Sequence, residues 1–234
     1  MIKKKAIAII TARGGSKRIP RKNVKLFCGK PIIQYTIEAA IESQMFDEVM
    51  VSTDDEEIAG IGMSLGAHVP FKRSKRTSDD FATTADVLEE VIEEYRKLGV
   101  EFEYICCLYP TAPFVTSEKL CSAMEKLIQN KELDAVVPVV KFSFPPQRGF
   151  VIEENEVRII YPETFQMRSQ DFVPQYHDCG QYYCMKTKSF LETKRLVLKH
   201  TYPIITSQME VQDIDDTSDW ELAELKYQKM VERR

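Results

Sequence analysis

The chain has 234 residues, 44% of them hydrophobic, and a formal net charge of −4 at pH 7. This allows a sizeable buried core, and the acidic balance gives no general case for a nucleic-acid partner. No apolar run approaches the ~20 residues of a membrane helix, and the short run after the N-terminal lysines continues into TARGGSKR rather than a signal-peptide cleavage site. The six cysteines form no CxxC pair, which favours reduced thiols, with Cys106 and Cys107 in the core. We therefore expect a cytoplasmic globular protein without nucleic-acid or membrane partners.

Strand-like and helix-like segments alternate along the first part of the chain. Apolar and β-branched runs predict strands, and apolar residues at helical spacing predict helices. In chain order the segments are strand Lys5–Thr11, helix Pro31–Gln44, strand Glu48–Thr53, helix Asp54–Leu65, helix Thr83–Leu98, strand Tyr104–Tyr109, helix Ser117–Asn130 and strand Asp134–Val140. This alternation predicts an α/β fold with an open, mostly parallel, Rossmann-like sheet and helices on both faces.

The alternation loosens between about Val139 and Cys179, where FSFPPQRGF and YPETFQMRSQDFVPQYHDCG are typical of hairpins and loops. Strand character returns at Gln181–Met185 and at Tyr202–Thr206. We predict an irregular excursion over residues 139–179, projecting from a sheet that the later strands complete.

The C-terminal segment predicts one more helix. Ser218 and Glu221 have the spacing of a capping box, which would start a helix that ends near Val231. Since no internal repeat or Gly/Ser linker divides the chain, we predict a single domain over residues 1–234.

Positive charge is concentrated in one loop within AIAIITARGGSKRIPRKN. Seven Lys or Arg residues and no acid lie between Arg13 and Lys30, directly after the first predicted strand. Open α/β sheets bind ligands at this carboxyl edge, and Gly14 and Gly15 allow a tight turn that brings backbone N–H groups near an anion. The spacing matches neither a Walker A loop nor a dinucleotide fingerprint. A solvated basic turn is the plain alternative, but the strand, the diglycine and the adjoining IPRKN favour phosphate binding. The side chains available to neutralise a polyphosphate are Arg13, Lys17, Arg21 and Lys22.

A pair of acids stands near the C-terminus, in VQDIDD. Asp213 and Asp215 are two positions apart, so on an extended chain both carboxylates lie on one side. Two hard oxygen ligands of this kind suit Mg²⁺ that also holds substrate oxygens. The plain alternative, acids that merely precede a helix, fits Asp216 better than this pair.

The segment ARGGSKRIPRKN resembles the N-terminal signature of the CMP-sialic acid synthetases (acylneuraminate cytidylyltransferases), which activate nine-carbon α-keto acids. The similarity continues in order through GKPIIQYTIEAA, VSTDDEEIA, YPTAPF and DIDDTSDW, over nearly the whole chain. Within that family, LYPTAPF, FPPQR and RSQDFVPQYHDCGQYY most resemble the pseudaminic acid cytidylyltransferases.

This resemblance implies an open α/β nucleotidyltransferase sheet, a homodimer and dependence on Mg²⁺. It also implies the reaction: CMP passes from CTP to the anomeric hydroxyl of a nonulosonic acid, above all pseudaminic acid, and pyrophosphate is released. The product would serve the biosynthesis of a surface glycan or glycoprotein.

The resemblance further implies roles for individual residues. Arg13, Lys17 and Lys22 match positions that grip the triphosphate, and Asn23 matches a base or ribose contact. The full nucleotide-binding set is Arg13, Gly14, Gly15, Ser16, Lys17, Lys22, Asn23, Arg73 and Thr84. The last two match positions that read the cytosine edge, and their plain alternatives are a surface cation and a helix-start residue. The residues expected to act in catalysis are Lys17, Arg13 and Asp215, with the metal held by Asp213 and Asp215.

The expected sugar site takes residues from two regions of the sequence. They are Tyr109, Arg168, Gln170, Tyr176, His177, Asp178 and Gln181. Tyr109 stands where sialic acid synthetases commonly carry Gln, and its more apolar face suits a deoxygenated acceptor with a terminal methyl group. Arg168 could pair with the substrate carboxylate, and each of these residues could instead serve loop packing. We expect the excursion to cross to a second subunit and complete its sugar site.

Several alternatives stay open. The acceptor could be sialic, legionaminic or 3-deoxy-octulosonic acid, although enzymes for the last resemble ARYxSxRxPGKP instead of ARGGSKRIPRKN. A metal-dependent glycosyltransferase could use DID as its metal motif, but this function would leave the basic N-terminal loop of the chain unexplained. An inactive nucleotide-binding paralogue would have no need of both the cations and the paired acids.

Overall fold

One main sheet organises the chain in the computed structural model, which describes residues 2–232. Within these residues the strands are β1 (Ile2–Thr11), β2 (Leu26–Phe27), β3 (Lys30–Pro31), β4 (Glu48–Ser52), β5 (Val100–Leu108), β6 (Ala135–Lys141), β7 (Phe150–Glu153), β8 (Glu156–Ile159), β9 (Tyr176–Asp178), β10 (Tyr182–Lys186) and β11 (Thr201–Ile205). The α-helices are α1 (Ile32–Glu42), α2 (Glu56–Ser64), α3 (Thr84–Lys97), α4 (Ser117–Gln129), α5 (Pro162–Phe165), α6 (Thr187–Thr193) and α7 (Thr217–Val231).

The main sheet has the strand order β11-β6-β10-β5-β1-β4, with β9 paired to β6. β1 runs parallel to β4 and β5, and β6 parallel to β11, while β9 and β10 run antiparallel to their neighbours. The predicted mostly parallel α/β sheet is confirmed. Every predicted strand and helix is present with its ends shifted by a few residues, and the short strand β9 and the short helix α6 are the unpredicted elements of the main layers.

Helices cover both faces of this sheet. In β1, Ala6, Ala8 and Ile10 pack into a cluster with α1, α2 and α4, whereas Ile7 and Ile9 pack on the other face against α3 and α6. A strand that is buried on both faces needs an uninterrupted apolar sequence, and this explains the run AIAII. Cys106 and Cys107 are buried free thiols on opposite faces, as expected.

A third apolar cluster fixes the C-terminal helix. Trp220 and Ala223 of α7 pack with Phe27, Ile32 and Phe114, and the rings of Phe27 and Trp220 meet edge to face at 5.5 Å. The cluster joins α7 to the small β2–β3 hairpin and the start of α1. It therefore places the segment before α7, residues 211–216, beside the basic loop.

The predicted capping box of α7, Ser218 with Glu221, is wrong by two residues. The cap is Asp216, whose carboxylate accepts hydrogen bonds from the N–H groups of Ser218 and Asp219, and the Asp216 N–H donates in turn to the Asp219 carboxylate. The sequence DTSDWE contains two overlapping capping patterns, and the earlier one is used because the helix begins at Thr217. Asp216 is thus committed to the helix terminus.

Asp216→Ala should lower the free energy of unfolding by about 1 kcal/mol, because it removes the acceptor for two N–H groups at the start of α7. Urea unfolding measures this change. Glu221→Gln, which alters the residue of the pattern that the helix does not use, should stay within about 0.5 kcal/mol. A larger loss in Glu221→Gln than in Asp216→Ala would contradict the cap assignment.

The excursion leaves the sheet after β6 and returns through β9, where Val139 pairs with Asp178 and Lys141 with Tyr176. Between them lie the antiparallel β7–β8 hairpin and the single-turn helix α5, so the expected hairpins and loops are confirmed. Large apolar side chains stay exposed along it, among them Phe144, Phe150, Ile152 and Val173. No helix within residues 2–232 has the length and apolarity to cross a bilayer.

Candidate active site

A cleft of 370 Å³ opens at the carboxyl ends of β1 and β5, where β1 leads into the basic loop. Its walls are Thr11, Arg13, Ser16, Lys17, Arg18, Ile19, Lys22, Asn23, Tyr109, Pro110, Thr111 and Asp215. The structure thus brings the basic loop, one acid of the C-terminal pair and one expected sugar-site residue to the same opening.

Of the two adjacent glycines, Gly14 is packed against Asp54 and Asp55 and Gly15 is open. The Gly14 N–H donates to Asp54 Oδ1 at 3.0 Å, and a Cβ on Gly14 would stand 2.7 Å from Asp55 Oδ2. At Gly15, by contrast, a Cβ would meet no atom of residues 2–232 within 4 Å. The Gly14 N–H therefore donates to the Asp54 carboxylate, and Gly15 is the open side of the turn.

Arg21 does not belong with the cations of the cleft. It has a left-handed backbone (φ 56°), and its guanidinium binds both Asp55 carboxylate oxygens, at 2.5 and 3.0 Å, and the Glu57 carboxylate. These hydrogen bonds hold the pKa of Asp55 at about 2. Because Asp55 also caps α2, Arg21 anchors the basic loop to that helix and is not free to neutralise a polyphosphate.

Asn23 supports the same loop from inside. It is buried, and its Nδ2 donates to the Arg13 carbonyl oxygen at 2.8 Å. Its side chain also borders the cleft. The amide therefore holds the backbone at Arg13.

Arg13 and Lys17 both face one carboxylate that the sequence reasoning missed. Lys17 Nζ lies 2.5 Å from Asp80 Oδ2, and Arg13 NH1 donates to Asp80 Oδ1 at 3.0 Å. Arg13 NH1 also donates to the Asp79 carbonyl oxygen at 3.0 Å. These partners are more than sixty residues away along the chain, so no local spacing predicts them.

Of the acidic pair, Asp215 borders the cleft and Asp213 does not. Ile214 is buried in the α7 cluster, so Asp213 and Asp215, on either side of it, remain accessible as the spacing predicts. Lys22 Nζ donates to the Ile214 carbonyl oxygen at 2.6 Å, and Arg18, also missed from the sequence, donates to Asp215 Oδ1 at 2.6 Å. Partial burial and the like charge of Asp215 raise the pKa of Asp213. Burial lowers the pKa of Lys22, although the negative charges of Asp215 and Asp213 act to raise it.

This donor set fits Mg²⁺. Asp213 and Asp215 offer hard carboxylate oxygens, and no cluster of three or more His, Cys, Asp or Glu within residues 2–232 has the arrangement of a protein-only metal cage. Mg²⁺ is commonly held by one or two carboxylates, with its remaining ligands taken from water and substrate phosphates.

The two residues expected to read cytosine, Arg73 and Thr84, do not line the cleft. Arg73 is only 7% exposed and donates from Nε to Ser52 Oγ and from NH2 to the Ser52 carbonyl oxygen, so the surface-cation alternative is wrong. Burial lowers its pKa to about 10. Thr84 is the first residue of α3, but the cap is its neighbour Thr83.

An aromatic pair connects Thr84 to the expected sugar side. The hydroxyl oxygens of Thr84 and Tyr109 are 3.1 Å apart, and the Tyr109 ring meets the Tyr183 ring edge to face at 5.8 Å. Tyr183, which the sequence reasoning missed, donates its hydroxyl to Asp178 Oδ1 at 2.7 Å. Gln181 is buried, with its Nε2 donating to the Glu210 carbonyl oxygen and its Oε1 without a partner within residues 2–232.

The remaining expected sugar residues lie on the excursion. Arg168 pairs with Asp171 at 3.0 Å, and Gln170 borders a separate cavity of 320 Å³ between Phe142 and Gln175. Tyr176 is exposed on β9, and the His177 ring packs against Phe142 with ring centres 4.6 Å apart. These contacts stay within the excursion, so the structure does not bring Arg168 or Gln170 to the cleft.

The chain is similar to known proteins along almost its whole length. A pseudaminic acid cytidylyltransferase of Campylobacter jejuni is 41% identical over 95% of this chain and 96% of its own. A CMP-N,N'-diacetyllegionaminic acid synthase of Legionella pneumophila is 35% identical over 93% of this chain and 94% of its own.

A solved structure supports the fold. A CMP:2-keto-3-deoxy-manno-octonic acid synthetase complexed with CTP aligns with a TM-score of 0.70 over 97% of this chain and all of the other, at 17% identity. At this identity the likeness extends to the nucleotidyltransferase fold alone. The family model described as cytidylyltransferase matches residues 7–232, and the chain belongs to this cytidylyltransferase family.

Proposed function

We propose that the protein transfers CMP from CTP to the anomeric hydroxyl of a nonulosonic acid, and that the acceptor is pseudaminic acid. The 41% identity to a pseudaminic acid cytidylyltransferase over 95% of the chain carries this proposal. CMP-legionaminic acid synthesis is the second candidate, favoured by the 35% identity to such an enzyme over nearly the same span.

The proposed reaction is an in-line displacement at the α-phosphorus of CTP. The anomeric oxygen forms the new P–O bond, the bond to the bridging oxygen of pyrophosphate breaks, and the hydroxyl proton leaves to a base or to water. Arg13, Lys17 and Lys22 line the cleft, and their charges would balance the negative charge that grows on the leaving pyrophosphate. The work of the chain is then positioning and charge stabilisation, without a covalent nucleophile.

Asp213 and Asp215 would hold Mg²⁺, which supplies positive charge to the phosphate oxygens when bound. Lys22 keeps the backbone between the two acids in place through its bond to the Ile214 carbonyl oxygen. Asp215 borders the cleft and can accept a hydrogen bond from the attacking hydroxyl, which would orient it toward phosphorus.

A release assay tests the proposal. Purified protein is given each of the four nucleoside triphosphates with pseudaminic, legionaminic, sialic or 3-deoxy-octulosonic acid, and pyrophosphate is measured. We expect release with CTP and pseudaminate well above every other pair. Higher release with CTP and legionaminate would move the assignment to the second candidate, and no release with any pair would overturn the proposed activity.

We also propose that the protein acts as a homodimer in which the excursion completes the partner's sugar site. Large exposed apolar residues such as Phe144, Ile152 and Val173 run along the excursion, the last of them 81% exposed. A patch of this kind usually marks an interface, and a two-fold pair would exchange the two excursions reciprocally. Arg168, whose present ion pair with Asp171 is exposed, would then be available to the substrate carboxylate of the neighbouring subunit.

Mixing two inactive variants tests the shared site. Lys17→Ala subunits and Arg168→Ala subunits, exchanged under mild denaturant, should regain up to about one quarter of wild-type activity, because random pairing makes half of the dimers mixed and each mixed dimer holds one intact site. Lys17→Ala mixed with Lys22→Ala is the control, since both changes lie on the same wall and no intact site can form. If exchange is confirmed and the first mixture stays inactive, Arg168 does not act across the interface.

A further inference from the structure

The two cations with the most direct proposed role at the triphosphate share one protein carboxylate. Asp80 offers one oxygen to Lys17 at 2.5 Å and the other to Arg13 at 3.0 Å. A carboxylate that bridges two cations presents its oxygens much as a phosphate group does, since both are anions that accept charge-assisted hydrogen bonds.

Asp80 belongs to a short segment, residues 78–82, which joins the 3₁₀ turn Lys75–Thr77 to α3. Asp79 turns this segment by accepting hydrogen bonds from the Phe81 and Ala82 N–H groups. The ring of Phe81 is 92% exposed. The segment contacts the basic loop through polar groups: the Asp79 carbonyl oxygen and the Asp80 carboxylate accept from Arg13, and the Asp80 carboxylate also accepts from Lys17.

We propose that Asp80 is an internal counter-ion that competes with the triphosphate for Arg13 and Lys17, so that nucleotide binding displaces it and moves residues 78–82. This rests on the proposed CTP binding. The donors of Lys17 and of Arg13 NH1 that Asp80 occupies cannot serve a phosphate oxygen at the same time, and the carboxylate repels an anion of like charge beside it.

Two effects of Asp80 on binding oppose each other. Its ion pairs hold Arg13 and Lys17 in position, which would favour binding, and its charge and occupancy oppose binding. Exposed ion pairs contribute little to holding side chains in one geometry, and both partners here are substantially exposed. Competition therefore dominates, and removing the charge should tighten binding of the triphosphate.

Isothermal titration in EDTA tests this with three probes: CTP, inorganic tripolyphosphate and cytidine. Asp80→Asn should bind CTP and tripolyphosphate about three- to ten-fold more tightly than wild type, with cytidine unchanged. The matched control is Glu56→Gln, which removes one negative charge from α2, where Glu56 pairs with Lys72. It should change triphosphate affinity by less than about two-fold.

A double variant locates the effect. In the Lys17→Ala background, the gain from Asp80→Asn should shrink, because one of the two competed donors is gone. Equal or weaker binding of tripolyphosphate by folded Asp80→Asn overturns the inference, as does an equal gain in Glu56→Gln. If wild type binds CTP and Lys17→Ala weakens it while Asp80→Asn has no effect, only this inference fails. If wild type binds tripolyphosphate but not CTP, the proposed function fails instead.

Discussion

Asp213→Asn and Asp215→Asn should each reduce kcat by roughly 100-fold or more while the protein stays folded. Each change keeps the size of the side chain and removes the negative charge that would hold Mg²⁺. Folding should be little affected, because both side chains are accessible and the buried residue between them, Ile214, is unchanged. Pyrophosphate release measured against Mg²⁺ concentration, with a thermal unfolding curve for each variant, gives the result.

Asp216→Asn is the control for this pair. Asp216 caps α7, and asparagine caps a helix about as well as aspartate, so this variant should keep most of its activity and stability. An inactive Asp216→Asn beside an active Asp213→Asn would reverse the assignment of the metal ligands.

Lys17→Ala should also lose about 100-fold or more in turnover, or about 2.7 kcal/mol of transition-state stabilisation. Lys17 lines the cleft, and in the proposed mechanism its charge would stabilise the leaving pyrophosphate. Its side chain is 77% exposed and its ion pair with Asp80 is at the surface, so the fold should not depend on it.

Lys30→Ala provides the matched comparison from the same basic stretch. Lys30 pairs with Glu38 of α1 and does not border the cleft, so its loss should leave CTP kinetics nearly unchanged. Near-normal kinetics in a folded Lys17→Ala protein would remove the basic loop from the mechanism.

The features that the sequence predicted well depend on short spacings. The strand-to-loop transition at Arg13 and the alternation of Asp213, Ile214 and Asp215 each lie within a few residues, where backbone geometry decides which side chains share a face. The same holds for the two-sided burial of β1, which its apolar run predicts.

The features that the sequence did not predict are long-range or ambiguous. Asp80 reaches Lys17 across 63 positions and Arg18 reaches Asp215 across 197, and such pairs depend on how the layers pack. The cap of α7 was misassigned because two capping patterns overlap in DTSDWE. Arg21 has the charge expected of a phosphate ligand. Its ion pair with Asp55 arises because α2 packs beside the basic loop, which the sequence does not indicate.

The cleft joins residues that are far apart in the chain, since Lys22 Nζ donates to the Ile214 carbonyl oxygen across 192 positions. During synthesis, the residues of β1 and the basic loop therefore leave the ribosome long before Asp213, Ile214 and Asp215 do. Closing so long a loop adds only slowly to the entropic cost, but contacts of such high sequence separation make folding slow. We expect the cleft to assemble as a late folding event, when Trp220 enters the cluster around Phe27. Loss of the last helix would leave the basic loop in place and remove the apolar cluster that holds Asp213 and Asp215 beside it.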